Sequence, residues 1–332
     1  MSARRRQLGF AALLAAFFLA LPLRPAAAEA LAELRVGVLK FGTVNWQLDS
    51  LIHHGFDRQE GLTVTPLLLA SKNATAVALQ AGEADFIVSD WIWVLRQRAA
   101  GARFLFHPYS TALGALMVRA EGAPAGIAQL AGKRIGIAGG PLDKSWLLLR
   151  SWAATGSGID LAEAAEPVYA APPLLNEHLT SGDLDALLTF WPYAARLQAA
   201  GFKEMIAVSD ILKDFGIVGR PALVGYVFPE TLAAERREAL SGFFRALEET
   251  NALLARSDAE WERLRPLMQA ASDAEFEALK AGYRSGIPEA PSATALADAR
   301  RLFDILAETG GADLVGAGTR FDPEIFWAAG ER

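Results

Sequence analysis

The sequence predicts an α/β protein of two similar lobes with a ligand cleft between them. Three observations carry this. Past the N-terminus, strand-like and helix-like segments alternate, the pattern of a parallel sheet covered by helices. The segment GEADFIVSDW, residues 82–91, has a counterpart in GDLDALLTFW, residues 182–191. Over twenty positions the two copies share Gly82/Gly182, Asp85/Asp185, Trp91/Trp191, Arg96/Arg196, Ala99/Ala199, Ala100/Ala200 and Gly101/Gly201. Finally, KRIGIAGG repeats the form of RVGVLKFG with a glycine inside each strand, Gly37 and Gly136.

In chain order, LRVGVLKFG reads as a buried strand. WQLDSLIHHGF follows with apolar residues at Trp46, Leu48, Leu51, Ile52 and Phe56, a helical spacing. Gly61 breaks it, LTVTPLLLAS is the second strand, NATAVALQAG a helix with Asn73 suited to its N-cap, and ADFIVSD the third strand. Strand-like pieces lie either side of Tyr109 to Gly114. The cycle then restarts: KRIGIAGG (strand), SWLLLRSWAATG (helix), EPVYAAPP (strand), LLNEHLTSG (short helix), LDALLTF (strand). Past Val208, SDILKDFGIVGRPALVGYVF reads as a loop and a strand returning to the first lobe. From Thr231 the chain reads as helical scaffold, with capping boxes at Ser257-x-x-Glu260 and Ser272-x-x-Glu275. The first lobe is expected from residues 31–115 plus 222–332 and the second from 116–221.

Residues 1–28 read as a signal peptide: Arg4 to Arg6, an apolar run from Leu8 to Leu23, then small-residue cleavage sites near Ala28 or Ala30. Arg5-Arg6 leaves either the general secretory or the twin-arginine route open. The run is short for a membrane span, so the mature protein is expected to be soluble and periplasmic. Losing four arginines takes the net charge from -6 to -10, which argues against nucleic acid as a partner. The absence of cysteine excludes disulfides, thiolate metal sites, a cysteine nucleophile and a lipoprotein anchor.

In open α/β sheets ligands bind beyond the carboxyl ends of the strands. The candidate ligand-binding residues on those loops are Thr43, Asn45, Trp46, Ser71, Asn73, Asp90, Trp91, Tyr109, Gly140, Asp143, Phe190, Trp191 and Tyr193. Several of these loops open helices, whose free N–H groups favour anions. Each residue also has a plain structural role open to it. Trp91 and Trp191 can cover the core rim, Asp90 and Asp143 can cap the following helices, and Trp93 and Trp146 read as packing.

The stretches RVGVLKFGTVNWQ, GEADFIVSD, GKRIGIAGG and ALLTFWPYAARL resemble the periplasmic solute-binding proteins of ABC importers, in the nitrate/sulfonate/taurine/thiamine-precursor branch. The resemblance covers about residues 31–330. It implies a type II periplasmic-binding fold, hinge closure on a small-molecule solute and delivery to permease and ATPase subunits; a monomer without a cofactor is expected. Where members of that branch often carry an acid, this chain has Trp191, and the loop from Gly139 to Asp143 lacks their small hydroxyl residues. Asp90 and Asp143 would repel a simple anion, with Lys72 and Lys144 as offsets. An aromatic, heterocyclic or amine-bearing solute such as an aminopyrimidine therefore fits better than a plain sulfonate.

Two rival classes stand beside this. A sensor or accessory protein would use the same clamp. An enzyme would need a catalytic set, and no Gly-x-Ser-x-Gly elbow or phosphate loop is present. Asp49, His53 and Asp57 share one helix face at metal-ligand spacing, a face more often solvated.

Overall fold

The computed structural model describes residues 31–289 and 293–327. The signal-peptide segment lies outside these residues. Ten strands form two five-stranded sheets. The first is built from β1 (Ala32–Leu39), β2 (Leu62–Leu69), β3 (Phe86–Asp90) and β4 (Phe104–Ser110), with β10 (Val224–Pro229) returning from the far end of the chain. Its order is β2-β1-β3-β10-β4. The second, from β5 (Ala115–Val118), β6 (Arg134–Ala138), β7 (Glu166–Ala170), β8 (Ala186–Thr189) and β9 (Lys203–Ala207), has the order β7-β6-β8-β5-β9. In each sheet the three repeat strands run parallel, and the strand arriving from the other half, β10 or β5, inserts antiparallel beside the third.

The first sheet is flanked by α1 (Val44–His53), α2 (Phe56–Gln59), α3 (Lys72–Gln80) and α4 (Trp91–Ala99). The second carries α5 (Lys144–Ser157), α6 (Leu161–Ala164), α7 (Pro172–Ser181), α8 (Trp191–Ala199) and α9 (Val208–Asp214). The C-terminal helices are α10 (Glu230–Glu235), α11 (Arg237–Arg256), α12 (Asp258–Met268), α13 (Asp273–Ser285) and α14 (Ala293–Val315).

The repeat is visible in the hydrogen bonds. Asp85 accepts from the Arg35 N–H at 2.7 Å, and Asp185 accepts from the Arg134 N–H at 2.9 Å. The aspartate repeated in the two copies thus pins each lobe's third strand to its first. Both expected capping boxes form on the hydroxyl side: Ser257 accepts from the Glu260 N–H at 3.1 Å and Ser272 from the Glu275 N–H at 3.2 Å.

Three elements differ from the sequence reading. The cap of α3 is Ser71, which accepts from the Ala74 N–H at 3.1 Å, and Asn73 already lies inside the helix. SDILKDF begins inside a helix, α9, whose Val208, Ile211 and Leu212 are buried. KEMIA forms the edge strand β9, too short and too polar to show period-2 alternation.

The chain crosses between the sheets at residues 111–114 and again between Ala207 and Val224. At the first crossing Gly114 lies so close to β8 that a Cβ there would stand 1.8 Å from the Thr189 carbonyl oxygen. The C-terminal helices do more than cover the first sheet. α14 packs on α4 of the first lobe and on α5 of the second, and α13 packs on α8 of the second. A single apolar cluster accordingly runs from Trp91 and Ile92 through Phe303 and Leu306 to Leu147 and Leu148.

Candidate functional site

The carboxyl ends of the strands in the two sheets face each other, and side chains meet across the gap. Asp90 ends β3. Its Oδ1 accepts from the Trp93 N–H at 2.9 Å, capping α4, and its Oδ2 accepts from Lys144 Nζ, at the start of α5 in the other lobe, at 2.9 Å. The pair is partly buried, with side-chain exposures of 16% and 24%. Burial opposes ionisation of Asp90, but the Lys144 ammonium outweighs it and holds the carboxyl below the ordinary range.

Phe190 occupies the position equivalent to Asp90 in the repeat. Lys72, first residue of α3 in the first lobe, places its ammonium 5.6 Å from the Phe190 ring centre. So each lobe sends a lysine to the N-cap residue of the helix that follows the other's third strand. Both lysines sit at helix N-termini, where the dipole disfavours a cation. Their local helices do not account for them; their reach across the gap does.

Asp143 is turned away from this exchange. Its Oδ1 accepts from the Ser145 and Trp146 N–H groups at 2.9 and 3.2 Å, capping α5. Its Oδ2 lies where a Cβ on Gly139 would come within 2.6 Å, which with φ +95° explains the glycine there. Burial raises the Asp143 carboxyl above the ordinary range despite Lys144 and the capping bonds. Gly140, at φ +90°, has open space beside its Cα.

The second cluster is aromatic. Trp46 and Trp191 meet edge to face with centres 6.2 Å apart, one from each lobe. Trp46 is 5% exposed and is held by Trp261 at 6.0 Å and Tyr283 at 6.0 Å. Trp191 and Tyr193 are half-buried. The Tyr109 hydroxyl donates to Thr43 Oγ1 at 3.0 Å and pairs with Tyr283, and burial raises its pKa. Asn45 donates to the carbonyls of Leu39 and Gly42 at 3.0 and 3.1 Å, so it shapes its own loop.

Across the gap the structure pairs Asp90 with Lys144, Phe190 with Lys72 and Trp46 with Trp191, while Thr43 is taken up by the Tyr109 hydroxyl. Asp143, Asn45 and Tyr109 face caps, loop carbonyls and a buried hydroxyl pair, while Ser71 and Asn73 are exposed at the start of α3. Trp91 is placed in the core, not on the cleft. It is fully buried against Phe303, Phe321 and Phe326, because α14 and the chain end close over that side of α4. Lys72 and Lys144 belong to the site but read from sequence only as charge offsets. Their place at the first position of a helix was the signal.

The possible metal face dissolves. Gly55 ends α1's run at φ +69°. Asp57, inside α2, then accepts from the Arg58 and Val64 N–H groups and so ties α2 to β2, and Asp49 pairs with Arg263. Among the described residues, no group of three or more histidines and carboxylates is placed to hold a metal ion.

Comparison with solved structures identifies the fold. The alkanesulfonate-binding protein SsuA from Xanthomonas axonopodis pv. citri, bound to MOPS, superposes with a TM-score of 0.69 at 19% identity over 89% of this chain and 98% of that one. The periplasmic aliphatic sulphonate-binding protein SsuA from Escherichia coli gives 0.67 at 16% identity, covering 88% and 92%. The desulfurization enzyme DSZB gives 0.59 at 17%, covering 86% and 96%. The chain thus has the type II fold of periplasmic solute-binding proteins, two α/β lobes about a cleft. The family model described as NMT1/THI5 like matches residues 52–258, and the chain belongs to that family. No curated protein matches its sequence.

Proposed function

We propose that this protein is the extracytoplasmic solute-binding subunit of an ABC importer, capturing a small organic solute between its lobes and handing it to a membrane permease. The carrying observation is the pair of reciprocal contacts across the cleft, Asp90 with Lys144 and Phe190 with Lys72. Such contacts exist only when the lobes are close, and a solute that joined or replaced them would shift the population towards closure. The lobes divide near residues 115 and 222, and the two chain crossings act as the hinge. Export by the N-terminal segment places the mature chain in the periplasm.

An aromatic or heterocyclic, amine-bearing solute is favoured. Asp90 offers a carboxylate for an amine, and Trp191, Trp46 and Phe190 offer rings beside it. A solute amine can take the place of Lys144 on Asp90, whereas a plain sulfonate brings no cation to that carboxylate. Binding rather than catalysis fits the placement of the histidines. His107 stacks on Phe244 at 3.9 Å, and burial depresses it to about 4. His54 and His178 pair with Glu260 and Asp183 outside the cleft.

Calorimetric titration of the purified protein with cytosine and with ethanesulfonate tests the ligand class. Tight binding of cytosine with weak or no binding of ethanesulfonate is expected; binding of the sulfonate alone would refute it. An ATPase and a permease encoded beside the gene would favour import, and a membrane kinase would favour sensing.

A further inference from the structure

We propose that Gly282, in the C-terminal helix α13, is a positioning residue for Trp191 and sets how far the indole stands into the cleft. The specificity part of this rests on the reading that Trp191 meets the ligand.

Gly282 lies inside a helix, where glycine is less favourable than alanine by about 1 kcal/mol. It is not among the glycines at positive φ, so its backbone does not ask for glycine. What asks for it is close approach. A Cβ at this position would stand 2.8 Å from both Cε3 and Cζ3 of Trp191, the benzo edge of the indole. The missing methyl is therefore the seat of the ring.

Two ways of yielding are closed to the ring. Trp46 stands edge-on 6.2 Å away and is itself fixed between Trp261 and Tyr283. Retreat of the whole helix is blocked further along α8. Arg196 donates to the carbonyls of Met268 and Gln269, at the C-terminus of α12, at 2.9 and 3.2 Å, and pairs with Glu275 of α13. A side chain at 282 would push the indole out through its half-exposed face, into the space between the lobes. α13 thus reads as scaffold from sequence but places a residue of the opposite lobe.

The test uses full-length mature protein carrying fluorotryptophan, with three variants: Gly282→Ala, Trp191→Phe, and both. The Trp191 resonance is the one that Trp191→Phe removes. Gly282→Ala is expected to move that resonance and lower Tm. Trp191→Phe deletes the benzo edge, so the double variant is expected to melt no lower than Trp191→Phe alone. An unmoved resonance with additive Tm changes would overturn the proposal. Titration with cytosine and ethanesulfonate separates positioning from specificity. Gly282→Ala is expected to change cytosine affinity by about three- to tenfold and ethanesulfonate affinity less than twofold. A moved resonance and coupled Tm with neither affinity changed upholds the contact and refutes the ligand-facing role of Trp191. Wild-type protein that binds neither probe refutes the ring-ligand reading and leaves positioning decided by the resonance and the Tm coupling.

Discussion

At the scale of single residues, the repeat places two tryptophans alike and the tertiary structure uses them differently. Trp91 is a core residue with its ring among three phenylalanines, and Trp191 is the half-buried ring between the lobes. Trp91→Ala should therefore cost about 3–5 kcal/mol in denaturant unfolding, and Trp191→Ala clearly less. Equal costs would contradict this assignment. The charged residues give a pH signature with a definite sign. The Asp90 carboxyl is held below its ordinary value by Lys144, so its contribution to stability is present at neutral pH. It is lost as pH falls through that lowered value. Asp90→Asn should cost about 1–3 kcal/mol at neutral pH and flatten that part of the acid profile, as read by melting temperature against pH. Two other groups act elsewhere. His107 is depressed from 6.5 to about 4, so the unfolded chain binds its proton first and stability falls as pH drops from about 6.5 to 4. Glu260 is held near 2 because Arg263, Ser50 and His54 outweigh its burial, so its contribution is lost between about 4.5 and 2.

At the scale of elements, the crossings decide the geometry of the cleft. The Gly114 backbone lies against the end of β8, and a Cβ there would overlap the Thr189 oxygen at 1.8 Å. A side chain at 114 must displace either the crossing or β8, which leads directly into Phe190 and Trp191. Gly114→Ala is expected to lower stability by several kcal/mol, about 3 or more, and to alter ligand affinity in whatever protein still folds. A variant with unchanged Tm and affinity would show the crossing to be slack. Strands β1, β3, β6 and β8 were legible because buried parallel strands read as apolar runs, closed by a glycine loop after β1 and β6, by the Asp90 cap after β3 and by Pro192 after β8. β9 and α9 were not. Edge strand β9 has one neighbour and little apolar patterning, and α9 is seven residues long, too short for helical periodicity to stand out. Likewise Ser71 and Asn73 are both good caps by chemistry, and only the extended backbone at Ser71 decides between them.

At the scale of the molecule, the C-terminal helices join the lobes as well as covering the first sheet, and the chain from Ala32 onward coheres as one unit. Among the described residues no helix is long and apolar enough to cross a membrane. With seams on both α5 and α8, closure is expected to be a limited rotation that makes and breaks the lysine contacts. Ligand-free protein carrying Lys72→Met and Lys144→Met should show a larger radius of gyration in small-angle scattering than the unchanged protein. High salt should expand the unchanged protein in the same direction, since partly exposed charge pairs are screened. No difference in either comparison would mean that the lysines do not hold the lobes.

The sequence by itself determined the α/β class, the duplicated lobe, the strand ends that carry the site and the charge types gathered there. These follow from local periodicity and from a repeat that spans its own contacts. Only the tertiary structure decided that Trp91 turns inward, that Asp143 caps its helix, that Lys72 and Lys144 cross the cleft and that Gly282 seats Trp191. Each of those facts pairs residues about fifty or more positions apart, or depends on which of two competing hydrogen bonds a carboxylate makes. Chain pattern records neither, because burial and partner choice are set by what packs above a residue and not by its neighbours in sequence.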